Sequence, residues 1–264
     1  NDERIVFDLV DLQGGSGDQR FAPGLYSVRP DGSELVLLIR SYGKGFVSSP
    51  ARIRDALGPE HKLLAVPIGS GNEVIVGEYR FDGLDDLVAI RAKRLDVGNG
   101  STSSLSFGAP ANARGWWFDP TGEPRAVVSA DGADRVIHWR APGKEEWVEL
   151  ARFNNLAMGF YPFFVDSAGV LYVTTADGPD ATRVLRRFDF ETGKPGPDKL
   201  TSTPGFDFAG SVVTDRLSGK AVGVRVETDA ETTAWFDPRM KALQAAVDAK
   251  LPGHVNRISC RRCN

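Results

Sequence analysis

Short apolar runs separated by turn-forming residues extend along the whole chain. The runs are about four to eight residues long, which is the length expected of strands rather than of helices. Gly, Pro, Asn and Asp lie between them, as they do between the strands of all-β proteins. In the first part of the chain such runs occupy residues 5–10, 24–28, 35–39, 63–68, 74–81 and 87–95.

The later part of the chain repeats a turn motif in which Asp is followed three or four positions later by Gly. The aspartates are Asp119, Asp166 and Asp215, and they lie 47 and 49 residues apart. An Asp side chain accepts hydrogen bonds from the backbone of its own turn, and Gly readily takes the positive φ that closes a hairpin. The motif therefore predicts three tight turns. Each leads into a strand, at residues 126–128, 171–173 and 221–224.

A second turn follows these motifs about a dozen residues later. Asp131-Gly132 precedes a strand that contains Val136, and Asp177-Gly178 precedes one that contains Val184, 48 residues further on. Units of four short strands that repeat every 40–50 residues or so indicate the blades of a β-propeller. One such sheet cannot bury both of its faces alone, so blades stack on one another.

The sequence therefore predicts an all-β fold, a β-propeller with about five four-stranded blades and a short C-terminal helix. We expect these blades to be part of a ring of about seven. The chain is then a single, partial propeller domain over residues 1–264. Its blades are predicted at residues 1–45, 60–107, 110–153, 158–202 and 207–259.

Two segments break the strand pattern and predict helices. Ser49-Pro50 and the residues up to Gly58 resemble a short capped helix. Asp237-Pro238 is typical of a helix start, with Asp as the N-cap and Pro at the first helical position. The apolar residues that follow fall on one face of that helix, which predicts packing on the rim of the propeller or against a neighbouring domain. These residues are Met240, Leu243, Val247 and Leu251.

Composition narrows the function classes only slightly. The chain carries 32 basic and 35 acidic residues, a net charge of −3, and no lysine- or arginine-rich block, so we expect no nucleic-acid partner. No apolar run is long enough to span a membrane. The start, residues 1–7, has neither an initiator Met nor a signal-peptide pattern and runs directly into a strand, which indicates a fragment or a processed chain. We expect a soluble protein, and the sequence does not distinguish the cytoplasm from the periplasm.

Searches for catalytic motifs give only near misses. The chain lacks Gly-x-Ser-x-Gly, Gly-x-Gly-x-x-Gly and Gly-Lys-Ser/Thr, and the serines at residues 14–17 and 69–71 have the wrong spacing for a nucleophile elbow. His61 follows the first predicted helix and is expected on the surface. His138 and Trp139 are neighbours in a strand, so one of them is expected to face inward. We predict no catalytic, cofactor-binding or metal-binding residue.

Candidate metal ligands are equally sparse. His254, Cys260 and Cys263 would supply three ligands, whereas structural zinc sites take four. No thioredoxin-like βαβ pattern surrounds the two cysteines, so they are predicted to be reduced and incidental. The three motif aspartates occur once per blade and are expected to lie tens of ångströms apart around a ring. They are therefore interpreted as turn residues and not as calcium ligands.

Several motifs together resemble the propeller of bacterial prolyl oligopeptidase-family serine peptidases. The order and spacing of these motifs are more specific than any single one of them, and the similarity is best over residues 110–259. The motifs in the blades are residues 115–122, 139–140, 147–150 and 188–193. Those at the C-terminal end are residues 235–238, 243–244, 247–248, 251–253 and 256–259.

This resemblance implies an accessory role. In the family, a similar helix and Leu-Pro-Gly segment precede the last blade, and an α/β-hydrolase domain then carries the catalytic serine, aspartate and histidine. That domain is absent from this chain, so none of its residues inherits a catalytic role and the chain is not expected to be an enzyme on its own. The resemblance implies a propeller that covers the active site of the same polypeptide, admits peptide substrates and excludes folded proteins.

The resemblance also implies partners. They are the α/β-hydrolase domain and peptide substrates, and residues that hold a substrate's N-terminus are expected but not identifiable by motif. The family normally has about two strand-rich repeats before the strand that residues 1–7 resemble. A propeller cut at both ends either stays open or pairs with another copy of the chain. No membrane partner is expected.

Two other classes of function stay open. One is a stand-alone propeller that binds a protein or a ligand, although such rings usually close with a strand from the opposite terminus. The other is a propeller enzyme, for example a lactonase or a sugar-cleaving enzyme, with acidic or histidine residues at the central channel. The small number of histidines counts against an enzyme, but the sequence does not exclude a site built from carboxylates at the channel.

Overall fold

The computed structural model describes residues 4–8, 24–40, 56–69, 71–154, 156, 159–178, 181–201, 203, 205–215 and 217–259. Within them the chain forms antiparallel sheets of consecutive strands, followed by one α-helix. The first sheet contains β1 (Ile5–Asp8), β2 (Leu25–Val28) and β3 (Val36–Ile39). The second contains β4 (His61–Ala65), β5 (Glu73–Phe81), β6 (Leu87–Asp96) and β7 (Thr102–Ser104).

The remaining three sheets repeat this meander. The third contains β8 (Ala113–Phe118), β9 (Pro124–Asp131), β10 (Asp134–Trp139) and β11 (Val148–Asn154). The fourth contains β12 (Phe160–Val165), β13 (Leu171–Asp177), β14 (Thr182–Asp189) and β15 (Lys194–Pro195). The fifth contains β16 (Gly210–Thr214), β17 (Ala221–Glu227) and β18 (Glu231–Trp235).

These five blade-like sheets confirm the predicted all-β propeller fold. In the described residues three sheets have four strands, and the first and fifth have three. Strands lie side by side in chain order in every sheet, which is the arrangement of propeller blades. The predicted strands at residues 63–68, 74–81 and 87–95 correspond to β4, β5 and β6.

One strand in each of four sheets is buried on both faces. All four residues of β3 are buried, and so are residues 126–130 of β9, 171–173 of β13 and 222–224 of β17. A strand covered on one side only would alternate apolar and polar residues, whereas these strands contain continuous apolar runs. The sequence therefore forms strands that need a neighbouring sheet on each face.

The chain divides into two compact units by its internal contacts. The first contains residues 1–116 and 127–131. One core joins the first two sheets, where Leu38 and Ile39 of β3 pack with Val76 of β5 and Leu95 of β6. Full burial of each such side chain contributes about 1.5–3 kcal/mol to the stability of the folded state.

The second unit contains residues 117–126 and 132–264. Its core joins the fourth and fifth sheets through Tyr172, Leu185 and Val224. Aromatic rings continue this packing, because the Phe163 and Phe208 rings meet edge to face with their centroids 5.1 Å apart. Contacts of this kind between sheets are what the recurring aromatic residues of the sequence provide.

The C-terminal helix α1 (Pro238–Lys250) begins as the sequence predicts. The Asp237 side chain accepts hydrogen bonds from the backbone N–H groups of Arg239 (2.8 Å) and Met240 (3.1 Å), and Pro238 takes the first helical position. The helix is fixed to the fifth sheet because Met240 is buried against Trp235. No helix in the described part of the chain is long and apolar enough to cross a membrane.

The apolar face of α1, predicted to pack on the rim or against a neighbouring domain, is only partly covered by the described residues. Met240 is buried, but Leu243 is 48% exposed and Leu251 is 52% exposed. The helix contacts the fifth sheet through Met240 in its first turn and through Gln244, which accepts a hydrogen bond from Trp235 Nε1 at 3.1 Å. The earlier predicted helix, from Ser49 to Gly58, lies largely outside the described residues, and Leu57 forms a parallel bridge with Ile39.

Candidate functional site

The first motif aspartate is satisfied within its own turn. Asp119 Oδ1 accepts hydrogen bonds from the backbone N–H groups of Thr121 (2.9 Å) and Glu123 (3.1 Å), and Oδ2 pairs with Arg125 Nε at 2.7 Å. Burial on its own would raise the pKa of Asp119, but the hydrogen bonds from Thr121 and Arg125 outweigh it and lower the pKa below its ordinary value. The carboxylate therefore stabilises the turn as an anion.

The other two motif aspartates do the same. Asp166 Oδ1 accepts from the backbone N–H groups of Ala168 (2.9 Å) and Val170 (3.0 Å). Asp215 accepts from the Leu217 N–H at 3.2 Å, in a turn that Gly219 closes with a φ of 68°. The prediction that the three motifs form tight Asp-Gly turns is confirmed.

These three turns contact one another in the second unit. The Ser167 N–H donates to the Gly219 carbonyl oxygen at 3.2 Å. A Cβ atom added to Gly219 would lie 2.7 Å from Pro120 Cβ and 3.2 Å from Ser167 Cβ. We call residues 119–122, 166–169 and 217–219 the turn cluster. The expectation that the aspartates lie tens of ångströms apart is therefore wrong.

The turn cluster brings together sheets that are not neighbours along the chain. Pro120 belongs to the third sheet and Gly219 to the fifth, so their contact passes over the fourth sheet, which adds Ser167. Successive sheets can meet in this way only where their first strands converge. In a propeller the blades converge on the central channel, so the cluster marks the channel side of these three sheets.

The turn cluster has no metal-binding geometry. Each carboxylate is already occupied by donors of its own turn, as described above. Within the described residues no group of three or more His, Cys, Asp and Glu side chains could hold a metal ion. What the cluster offers is a close contact among Pro120, Ser167 and Gly219 from three different turns.

A second candidate surface lies in the first unit. It is a cleft of 510 Å³, which we call the β6 cleft. Its walls are the end of β5 at residues 80–81, the start of β6 at residues 88–91, and Ser106, residues 109–113 and Trp116. Phe107, next to one of these walls, is 94% exposed.

The cleft exists because β6 is longer than the strand beside it. In the described residues β7 pairs only with residues 93–95 of β6, so the first half of β6 has an open edge. Side chains take the place of a strand there: Trp116 Nε1 donates to the Ile90 carbonyl at 2.8 Å and Arg114 Nε donates to the Val88 carbonyl at 3.4 Å. The pairing of β5 with β6 is irregular between Arg80 and Phe81, at the same end of β6. Bulges of this kind are frequent at sheet edges and beside functional sites.

Two arginines lie at the rim of the cleft. The strand register pairs Arg80 with Ala89 and Arg91 with Glu78, which makes the two arginines diagonal neighbours. Arg80 forms an ion pair with Glu78 at 3.0 Å, and its side chain is 55% exposed. Arg91 is exposed and has no ion-pair partner in the described part of the chain. The rim therefore has a positive charge available to a ligand.

His61 is part of a polar network on the same face of the second sheet. The prediction that it lies on the surface is wrong, because it begins β4 and is only 4% exposed. Its Nδ1 lies 3.2 Å from the Gly58 carbonyl, and its Nε2 lies 3.2 Å from Lys93 Nζ, which also pairs with Glu78 at 2.9 Å. Burial, and then the neighbouring Lys93 cation, lower the pKa of His61 below its ordinary value.

Sequence reasoning missed both the cleft and this network. A signal for the charged face was present, since Glu78 and Arg80 alternate along β5 while Arg91 and Lys93 alternate along β6. No local pattern marks the open edge of β6, because it depends on how short β7 is.

The remaining candidates lie apart from these surfaces. His254 is exposed, with Nδ1 3.1 Å from the Pro252 carbonyl, and Cys260 and Cys263 lie outside the described residues. Of the strand neighbours His138 and Trp139, the tryptophan is the buried one, at 6% exposure, as predicted.

Comparisons with known proteins add little beyond the fold. No protein-family model matches the sequence, and no curated protein matches it. Among solved structures the chain is similar to TolB from Acinetobacter baumannii, with 14% identity and a TM-score of 0.46. The match covers 89% of this chain and 53% of that one, so the chain spans about half the length of that structure.

Gly219→Ala is expected to destabilise the protein more than Gly193→Ala. Both glycines have a φ of 68°, but a Cβ at Gly193 meets nothing within 4 Å, whereas a Cβ at Gly219 meets Pro120 at 2.7 Å. The shared backbone strain costs about 1–2 kcal/mol, and overpacking at Gly219 adds about 1–3 kcal/mol. Urea unfolding of both variants measures the difference, and equal midpoints would contradict the contact among the turns.

The stability of the first unit is expected to fall as the pH is lowered through 6.5. The folded state lowers the pKa of His61 from its ordinary value of 6.5, so the unfolded chain binds more protons at mildly acidic pH, and protonation favours unfolding. His61→Gln should flatten the dependence of the free energy of unfolding on pH between about pH 7 and 5. His254→Gln, at an exposed position, is the control and should retain the parent slope. An unchanged slope in His61→Gln would show that the network does not disfavour the imidazolium.

Proposed function

We propose that this chain is the non-catalytic propeller of a prolyl oligopeptidase-like serine peptidase. In this proposal it controls the access of peptides to an α/β-hydrolase domain of the same polypeptide that lies outside the chain. In this proposal the chain contributes no catalytic residue and works by steric selection.

The observation that carries the proposal is the turn cluster. Turns from three successive sheets meet at Pro120, Ser167 and Gly219, on the side where the sheets converge. In the proposal these turns narrow the central channel of the propeller. A narrow channel admits an extended chain more readily than a folded domain, because even a domain of 100 residues has a radius of gyration of about 13 Å. A peptidase that must spare folded proteins needs a filter of this kind.

The C-terminal element also supports the proposal. Residues 235–259, which carry the most specific part of the resemblance, form one connected element. Gln244 links it internally, since it accepts from Trp235 Nε1 at 3.1 Å and donates to the Asn256 carbonyl at 2.9 Å. Leu243, Leu251 and Val255 are each about half exposed, at 48%, 52% and 58%. An adjoining domain of the same polypeptide would bury these apolar side chains.

A free-standing, ligand-binding propeller is the second candidate function. The β6 cleft favours it, because a cleft with an apolar wall and a charged rim can bind a ligand without any catalytic domain. The two candidates differ in whether peptide hydrolysis depends on the turn cluster.

A substitution that loosens the packing of the turn cluster tests the proposed gating role. In the product of the complete reading frame, Pro120→Gly removes the ring that packs on Gly219. We expect the hydrolysis rate of a long, unfolded substrate, such as a reduced and carboxymethylated protein, to rise several-fold relative to that of a chromogenic tetrapeptide. The tetrapeptide rate should stay nearly constant, because the chemistry is untouched.

Pro30→Gly is the matched control, since Pro30 is exposed in the turn between β2 and β3 of the first unit, whereas the turn cluster belongs to the second. It should leave the ratio of the two rates unchanged. A ratio that is also unchanged in Pro120→Gly, with the variant folded by circular dichroism, would contradict a gate at the turn cluster.

A further inference from the structure

We propose that the β6 cleft binds a carboxylate carried on an apolar, peptide-like body, such as the free C-terminus of a short peptide. The cleft lies entirely within the first unit. The inference goes beyond the gating role, because binding there requires neither the turn cluster nor a catalytic domain.

The size and wall of the cleft suit a small apolar ligand. Its volume of 510 Å³ falls within the range of about 300–1,000 Å³ that is common for small-molecule sites. Phe81, Val88 and Trp116 contribute apolar surface to the wall. Consecutive residues of β6, 88–91, line the cleft, as expected where a strand edge is not covered by another strand.

The open edge of β6 offers a backbone N–H donor to a ligand, whereas the backbone carbonyl oxygens along it already accept hydrogen bonds. The Ile90 and Val88 carbonyls accept from Trp116 and Arg114. In an antiparallel strand the N–H and C=O groups of one residue point to the same side, so the Ile90 N–H also faces the open edge. A ligand that meets this edge must therefore present an acceptor.

Charge at the rim selects an anionic acceptor. Arg91 is exposed and, within the described residues, unpaired, and Arg80 uses a single nitrogen for Glu78. A guanidinium binds a carboxylate through two parallel hydrogen bonds, which a neutral amide cannot match. The nearby Asp82 does not compete, because it accepts from the backbone N–H groups of Leu84 and Asp86 within its own hairpin.

The test is a titration of the 264-residue chain with two probes, N-acetyl-leucyl-phenylalanine and its C-terminal amide. Heat is followed by calorimetry, and Trp116 in the wall provides a fluorescence signal. We expect the acid to bind at least about tenfold more tightly than the amide, since a hydrogen bond to a charged group is stronger than one to a neutral group. Added salt should weaken the binding of the acid but not the binding of the amide.

Arg91→Gln should weaken binding of the acid about tenfold and leave the amide unaffected. The control is Arg183→Gln, which removes an exposed arginine from β14, outside the cleft, and should change neither affinity. Equal affinities of the parent chain for acid and amide would overturn the proposal. So would unchanged acid binding in Arg91→Gln, or no binding of either probe at about 1 mM.

The comparison of the two probes uses the unaltered chain and therefore does not depend on how well a variant folds. The readout is binding and not hydrolysis, so failure of this proposal and failure of the gating proposal give different results.

Discussion

The structure depends on three aspartates, each at the end of the first strand of a sheet. Hydrogen bonds within their own turns stabilise the negative charges of these aspartates. Asp119, Asp166 and Asp215 each accept hydrogen bonds from donors of the turn that they begin. Three buried or half-buried carboxylates brought close together would otherwise repel one another and demand counter-ions. Because each charge is satisfied locally, Pro120, Ser167 and Gly219 can pack in direct contact. That contact joins the turns of three sheets.

Packing between sheets also follows from the short, locally stabilised turns. Short hairpins leave strands that are apolar on both sides, so each sheet must be covered twice, and the cores around Ile39 in the first unit and Leu185 in the second do this. Where the strands are unequal in length, an edge remains. At β6 that edge is partly covered by the Trp116 and Arg114 side chains, and the uncovered remainder is the β6 cleft.

The sequence was sufficient for features that are decided within a few residues. The strands, the Asp-Gly turns and the capped start of α1 at Asp237 all follow from local periodicity and turn chemistry. Features that depend on distance in space were not predictable: the meeting of Pro120 with Gly219, the burial of His61 beside Lys93, and the exposure of Leu243. Each is decided by which sheet lies against which, and one sequence contains no pairing information of that kind.

The most direct test of the central claim compares peptide hydrolysis by this 264-residue chain and by the product of the complete reading frame, on the same chromogenic peptides. If the chain is the propeller of a larger serine peptidase, the complete product is heavier and cleaves the peptides in a reaction that a serine-directed inhibitor blocks. The chain alone then leaves the peptides intact. Cleavage by the purified chain, or a complete product that ends with this chain and has no peptidase activity, would contradict the account.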